Sequence, residues 1–314
     1  MGLEHQSFIQ NARRNRIRPL KLHIRHGQVC PMENHLLSFG HGYSAQALAK
    51  LLLPKGWRVT GTTRDPAKLD QLSNTGVIPA LWGSAKVDDA LKSATAILIS
   101  TSPDDAGDPV FLKHGSDIAK IASDLKWFGY LSTSGVYGDF KGEWVDEDTI
   151  VNPTTRRGKM RLLAEKQWSS LDNLPLHIFR LAGIYGPGRG PFSKVRTGTA
   201  QRVVKPGQVF SRIHIDDIAQ TLVASILSPN PTRIYNLCDD DPAPPQDVIG
   251  FAAELIGAPL PPLVPFEKAE LGPMARSFYA ENKRIRNDRI KKELGVSLKY
   301  PTYKLGLKHL LETE

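Results

Sequence analysis

The feature that most constrains this chain is a short apolar run that ends at two closely spaced glycines. Residues 36–39 form the run, Gly40 and Gly42 follow it, and apolar residues recur with helical spacing over 43–54. This order predicts a strand, a tight turn and a helix. The first glycine permits the turn, the second lets the backbone approach a pyrophosphate, and Ala45 keeps the helix close to the strand. Because the first amide groups of the helix hold an anion, the run predicts a dinucleotide-binding turn.

Apolar runs of strand length alternate with helical stretches after this turn. We expect strands at 36–39, 57–62, 77–81, 96–100, 128–132 and 176–181, and helices at 43–54, 66–72, 110–125 and 156–171. The run at 57–62 returns at the distance that a compact βαβ unit requires. Such alternation is typical of a parallel sheet with helices on both faces. The predicted fold is therefore α/β, a doubly wound parallel sheet of the Rossmann type.

The chain changes character after about residue 183, where turns rich in glycine and proline begin. We expect residues 32–182 to form the dinucleotide-binding domain and 183–314 to form a smaller substrate lobe, partly interwoven with the sheet. Residues 1–31 show little apolar periodicity, and Met32 stands directly before the first strand. We interpret 1–31 as a disordered tail or a mis-called start; a transit peptide and a nucleic-acid tether are the open alternatives.

Charge and composition narrow the class of protein. The chain has 314 residues, 40% apolar content and a net charge of +9, of which residues 1–31 carry +5. Since most of the excess lies in that segment, nucleic acid is an unlikely partner for the folded part. No apolar stretch is long enough to span a bilayer, and the two cysteines lack metal or disulfide spacing. We expect a cytoplasmic protein with no metal and no membrane partner; the oligomeric state is not indicated.

The end of the second strand bears on which nicotinamide cofactor would bind. An acidic residue at this position takes the ribose hydroxyl of NAD, whereas an arginine accommodates the 2′-phosphate of NADP. Thr63 and Arg64 stand here, and Asp65 before a proline is expected to cap the next helix. NADP is therefore favoured, and NAD remains possible. The residues predicted to bind the cofactor are Gly40, Gly42, Tyr43, Ser44, Ala45, Thr63, Arg64 and Ser100.

Three spaced motifs in the middle of the chain carry a family resemblance. They are YLSTSGVYG at 130–138, FRLAGIYGP at 179–187 and IHIDDIA at 213–219. Together with the glycine turn, they resemble the extended short-chain dehydrogenase/reductases, also called the NAD-dependent epimerase/dehydratase family. The resemblance covers nearly everything from Met32 onward, and it implies a Rossmann fold that binds NAD(P).

The resemblance also implies a catalytic set, from which this chain departs. Members use a Tyr and a Lys four residues apart on a helix, with a Ser or Thr that holds the reacting oxygen. Thr133 matches the Ser or Thr, but Arg157 and Arg161 stand at the Tyr and Lys positions. An arginine side chain cannot act as the general acid. We therefore predict Tyr137 as the proton donor, with a water polarised by Arg157 and Arg161 as the other possible source and a packing role for Tyr137 as the open alternative. Arg157 with Arg161 is also predicted as a clamp for an anionic group.

The resulting hypothesis is an NAD(P)-dependent oxidoreductase or epimerase-like enzyme. It would act on a carbonyl or alcohol carbon of a small-molecule substrate that is anionic or of sugar type. The alternative is an NAD(P)-binding sensor or scaffold protein that has lost catalysis.

Overall fold

The computed structural model describes residues 33–313 and, before them, two short strands. Contacts divide the chain into two units, Met1–Glu33 and Asn34–Glu314. In the first unit, β1 (His23–Arg25) pairs antiparallel with β2 (Gln28–Cys30). The tail predicted over 1–31 otherwise lies outside the described residues.

The second unit alternates strands and helices along most of its length. Its strands are β3 (His35–Phe39), β4 (Arg58–Thr63), β5 (Ile78–Leu81), β6 (Ala96–Ile99), β7 (Trp127–Thr133), β8 (Trp144–Val145), β9 (Leu176–Leu181), β10 (Gly183–Tyr185), β11 (Arg202–Val204), β12 (Arg212–His214), β13 (Arg233–Leu237), β14 (Leu263–Pro265) and β15 (Arg284–Ile285). Its helices are α1 (Tyr43–Leu52), α2 (Leu69–Ser73), α3 (Ala85–Ser93), α4 (Pro109–Ile121), α5 (Arg156–Ser169), α6 (Phe192–Arg196), α7 (Ile215–Leu227), α8 (Pro245–Leu255), α9 (Pro273–Phe278), α10 (Asp288–Leu294) and α11 (Tyr303–Thr313). Short 3₁₀ turns lie at Leu53–Lys55, Pro66–Lys68, Ala122–Asp124, Ser134–Val136 and Phe266–Lys268.

Seven strands form one parallel sheet in the order β13-β9-β7-β6-β3-β4-β5. The predicted doubly wound α/β fold is confirmed. The chain runs outward from β3 to β5 and then returns to the other side of β3 as β6. In sheets of this kind a crevice opens at the carboxyl ends of the two strands that flank the reversal. The glycine turn after β3 lies at this point.

Alternating side chains of the central strands supply a core on each face of the sheet. Leu36 packs into the cluster that contains Leu48 of α1, whereas Leu37, its neighbour in β3, packs into the cluster with Ile118 of α4. This alternation follows from the two-residue period of a strand. Both faces are apolar, so helices must cover both.

The second half of the chain is interwoven with the sheet. Strand β13 pairs with β9 inside the main sheet, while β10 pairs with β12 and β11 with β14 in small parallel pairs. A separate apolar cluster forms around Phe192, Ala252 and Leu310. The domain division at residue 183 stays a prediction. Among the described residues, no helix has the length and apolar character needed to cross a membrane.

Candidate active site

The glycine turn after β3 is held against the ends of two neighbouring strands. Gly40 has a φ of +71°, and a Cβ at this position would lie 3.0 Å from the backbone nitrogen of Thr101. Its N–H donates to Thr62 Oγ1 at 2.9 Å. Gly42 is the N-cap of α1 and supplies no side-chain cap, so this cap leaves the first-turn amide groups of the helix for another acceptor. The turn therefore has the geometry expected for binding a pyrophosphate.

His41, between the two glycines, is locked in place by packing. Its side chain is 5% exposed, and its ring lies so close to Gly61 that a Cβ there would come within 2.6 Å of Cγ. Burial lowers the pKa of His41 to about 4. A neutral, immobile ring at this position fixes the turn to β4.

The other residues predicted to bind the cofactor divide into two groups. Ser44 and Ala45, in the first turn of α1, are both buried. Thr63 and Arg64 lie at the end of β4, and no ion pair holds Arg64 among the described residues. Asp65 accepts from the N–H of Ala67 at 3.1 Å, which confirms the predicted cap.

Ser100 follows β6, and its backbone lies beside the glycine turn. The Ser100 N–H donates to the carbonyl oxygen of Phe39 at 2.9 Å. A Cβ on Gly40 would approach the carbonyl carbon of Ser100 to 3.1 Å. The structure thus brings Ser100 to the turn that the sequence predicted.

Tyr43 connects the turn to the loop after β10. Its hydroxyl donates to the carbonyl oxygen of Pro187 at 2.9 Å. The guanidinium carbon of Arg189 lies 4.4 Å from the centre of the Tyr43 ring, within cation–π distance. A residue expected to bind the cofactor thus also positions a loop of the second half.

Helix α5, which carries Arg157 and Arg161, starts against the turn that follows β7. Thr133 Oγ1 accepts from the N–H of Gly135 at 3.2 Å, which leaves its hydroxyl hydrogen able to donate elsewhere. A Cβ on Gly158 would lie 2.6 Å from the carbonyl oxygen of Gly135. The absence of a side chain at Gly158 therefore allows α5 to approach Thr133.

The two arginines predicted as an anion clamp have different environments. Arg161 donates from Nη1 to the carbonyl oxygen of Leu131 at 2.7 Å and to the Tyr130 hydroxyl at 3.3 Å. Arg157 is exposed, and its guanidinium lies 5.9 Å from the ring centre of Phe278. Although the residue as a whole is exposed, partial desolvation of its guanidinium and the nearby charge of Arg161 lower the pKa of Arg157. Arg161 thus binds the end of β7, and Arg157 is the member of the pair available to a ligand.

Tyr137 has no accessible surface in this structure. It is 0% exposed, and its hydroxyl donates to Asn236 Oδ1 at 2.7 Å. Burial raises the pKa of Tyr137 to about 12. A buried hydroxyl with a bound partner and a raised pKa is poorly placed to exchange a proton with a substrate. The structure favours the packing interpretation over the predicted role as proton donor.

A buried ion pair that sequence reasoning missed lies beneath Tyr137. Arg180 donates to both carboxylate oxygens of Glu165, at 3.2 and 2.8 Å, and each residue is 4% exposed. Ser132 donates to the same carboxylate at 2.5 Å, and the Arg180 guanidinium lies 4.9 Å from the Tyr137 ring centre. The available signal was Arg180 itself, a charge inside an apolar strand, which requires a buried partner.

A cavity of about 400 Å³ opens in the second half of the chain, and we call it the lobe cavity. Aromatic side chains form much of its wall, together with one half-buried arginine: Tyr185, Phe210, Phe278, Tyr279, Tyr303 and Arg212. Arg189, which stacks on Tyr43, also borders it. Since Phe278 contacts Arg157 as well, the lobe cavity shares wall residues with both the glycine turn and α5.

Comparisons with known proteins give a close relative of unknown function and distant relatives with the same fold. No protein-family model matches the chain. A solved structure of a functionally unknown conserved protein from Silicibacter pomeroyi is 57% identical, with a TM-score of 0.85, covering 89% of this chain and 99% of its own. Protein YeeZ of Escherichia coli K12 is 28% identical over 277 residues, or 83% of this chain and 94% of its own length.

The solved structure of human epimerase family protein SDR39U1 with NADPH is 17% identical, with a TM-score of 0.68 over 89% of this chain and 100% of its own. Other structures that share the fold, among them a dTDP-glucose 4,6-dehydratase from Bacillus anthracis, were solved with NAD. At this identity the likeness shows the fold, which is the one that the resemblance of the motifs implied.

Proposed function

Because the chain belongs to the same family as the conserved Silicibacter pomeroyi protein, whose function is unknown, we propose a function from the site itself. The protein is an NAD(P)-dependent oxidoreductase of the epimerase/dehydratase type, working in the cytoplasm on a carbonyl or alcohol carbon of a small molecule. The observation that carries the proposal is the glycine turn: Gly40 in a left-handed conformation, pressed on Thr101, before a helix whose N-cap has no side chain.

The residues present fit a dinucleotide. The Gly40 turn and the first amide groups of α1 would hold the pyrophosphate. At the end of β4, Arg64 is exposed and carries a charge that suits a 2′-phosphate, while the Asp65 carboxylate is turned to cap Ala67. We therefore propose NADP as the preferred cofactor. Relatives of the same fold that bind NADPH or NAD support the nicotinamide class.

The chain's own residues would position the substrate. When bound, the nicotinamide supplies or accepts the hydride. The Thr133 hydroxyl donates to the reacting oxygen, since its lone pair already accepts from the N–H of Gly135. Arg157 binds an anionic group or polarises a water that delivers the proton, whereas Arg161 keeps α5 in register with β7 through the carbonyl of Leu131. Tyr137 supports this turn by packing.

Calorimetric titration of the purified protein with NADPH and with NADH tests the cofactor assignment. We expect NADPH to bind at least tenfold more tightly than NADH. Arg64→Asp places a negative charge beside the 2′-phosphate and should reverse the preference, because like charges repel across this distance. The matched control is Lys50→Asp, in the last turn of α1, which makes the same charge change away from the site. Absence of heat from both coenzymes at millimolar concentration would overturn the proposal.

A sensor without catalysis is the second candidate, and one observation favours it. Neither Arg161, bound to the end of β7, nor Tyr137, buried against Asn236, is free to donate a proton at Thr133. A panel of aldehydes, ketones and keto acids assayed for NADPH oxidation separates the two candidates. Turnover that falls at least tenfold in Thr133→Val supports the enzyme. Tight coenzyme binding with no turnover on any member of the panel supports the sensor.

A further inference from the structure

The wall of the lobe cavity contains an arginine, Arg212, that uses only part of its hydrogen-bonding capacity. Arg212 Nη1 donates to the carbonyl oxygens of Phe210 at 2.8 Å and Ala243 at 3.2 Å. Its remaining N–H groups have no acceptor, and its guanidinium has no ion pair, among the residues that the structure describes. Burial lowers the pKa of Arg212, although an arginine keeps its charge at physiological pH. Two carbonyl groups thus fix the orientation of a guanidinium that has further N–H groups to offer a ligand.

Two acidic side chains lie within electrostatic reach of Arg212, but neither forms an ion pair with it among the described residues. The charges of Asp239 and Asp241 raise the pKa of Arg212 against the effect of burial. Asp239 is buried, and its Oδ2 has no hydrogen-bond partner. The N–H groups that Arg212 leaves unpaired are therefore available to an anionic ligand in the cavity.

Aromatic rings make up much of the rest of the wall. Phe210, Phe278, Tyr279 and Tyr303 present rings around the cavity, and its volume of about 400 Å³ falls in the range of small-molecule sites. Beyond the two arginines, the polar groups of the wall are Gln201 and the tyrosine hydroxyl groups. The rings suit the faces of a planar apolar body, and the polar groups suit its edge.

We propose that the lobe cavity is a binding site for a small aromatic or similarly flat monocarboxylate, whose carboxylate pairs with the Arg212 guanidinium. A carboxylate matches the planar donor fork of one arginine, whereas a phosphate dianion calls for further cations. As a substrate site, the cavity rests on the proposed function. Two of its wall residues support that role, because Arg189 stacks on Tyr43 beside the glycine turn and Phe278 contacts Arg157 of α5. It refines the predicted substrate class from anionic or sugar-type to aromatic acid.

Calorimetric titration of the full-length protein without coenzyme tests the site, with cinnamate, its neutral amide and phenyl phosphate as probes. We expect cinnamate to bind at least tenfold more tightly than cinnamamide, and more tightly than phenyl phosphate. Arg212→Met should weaken cinnamate at least tenfold and change cinnamamide less than threefold, because a charged hydrogen-bond pair is lost only for the acid. The control Arg276→Met removes an arginine of α9 that is outside the cavity wall and should change neither affinity.

A second pair of variants tests the location without touching Arg212. Ala275 of α9 is exposed and borders the cavity, so Ala275→Trp should block it and weaken cinnamate at least tenfold. Met274→Trp, one position earlier and outside the wall, should leave binding unchanged. Equal binding of acid and amide, tighter binding of phenyl phosphate, retained affinity in Ala275→Trp, or no cinnamate heat at millimolar concentration would overturn the proposal.

The coenzyme titration separates this inference from the proposed function. Cinnamate binding without coenzyme binding would uphold the cavity and defeat the oxidoreductase. Coenzyme binding without cinnamate binding would uphold the proposed cofactor and defeat the cavity as a carboxylate site.

Discussion

Replacing Gly158 by alanine should destabilise the protein although alanine is the better helix former. The new Cβ would lie 2.6 Å from the carbonyl oxygen of Gly135 and 2.8 Å from Pro153 Cβ, so α5 must move away from the turn. Overpacking of this kind costs about 1–3 kcal/mol. The higher helix propensity of alanine relative to glycine stabilises the helix by about 1 kcal/mol and offsets part of this cost. We expect a net loss of about 0–2 kcal/mol, estimated from these two effects.

Gly115 of α4 provides a matched control, because it is also a buried helical glycine. A Cβ there would meet its nearest neighbour, the Phe111 ring, at 3.5 Å, which is an ordinary contact. Gly115→Ala should therefore gain up to about 1 kcal/mol from helix propensity. Urea unfolding followed by tryptophan fluorescence gives both free energies. The reasoning is refuted if Gly158→Ala is as stable as Gly115→Ala.

Three further predictions concern the turn, the buried ion pair and the response to pH. Gly40→Ala should lower coenzyme affinity at least tenfold in calorimetry, because a side chain is strained at φ +71° and meets the neighbouring backbone at 3.0 Å. Glu165→Gln leaves the Arg180 charge buried without its counter-ion and should cost about 3–5 kcal/mol in urea unfolding; a loss below about 1 kcal/mol would contradict the assignment. The pKa values of His41 and His177 are lowered to about 4 in the folded protein, so the unfolded chain binds more protons between pH 4 and 6.5, and the free energy of unfolding should decrease as the pH falls through that range. His41→Phe should reduce this dependence, and an unchanged slope between pH 5 and 7 would count against it.

The parts of the fold that follow from short-range patterns were predictable. The strand at 36–39, the turn at Gly40 and the return strand at 57–62 depend on apolar runs and glycines that are adjacent in sequence, and the structure has them in β3 and β4. Helix α3 was not predicted, because it is short and only Val87, Ala90 and Leu91 among its residues are buried apolar side chains.

The parts of the site that depend on distant contacts were not predictable. The Tyr137 hydroxyl binds Asn236, 99 positions away, and Arg161 binds the carbonyl of Leu131, 30 positions away. Spacing along α5 could place Arg157 and Arg161 one turn apart. It could not indicate which of the two side chains makes hydrogen bonds within the protein and which is left for a ligand.

Under the two proposals, the loop that carries Pro187 and Arg189 would make the coenzyme and the acid thermodynamically dependent on each other. Tyr43 holds that loop at one end of the glycine turn, and Arg189 belongs to the wall of the lobe cavity. A pyrophosphate beside Tyr43 would attract the Arg189 charge and so change the shape of the cavity. The factor by which the coenzyme changes the affinity for the acid would then equal the factor by which the acid changes the affinity for the coenzyme.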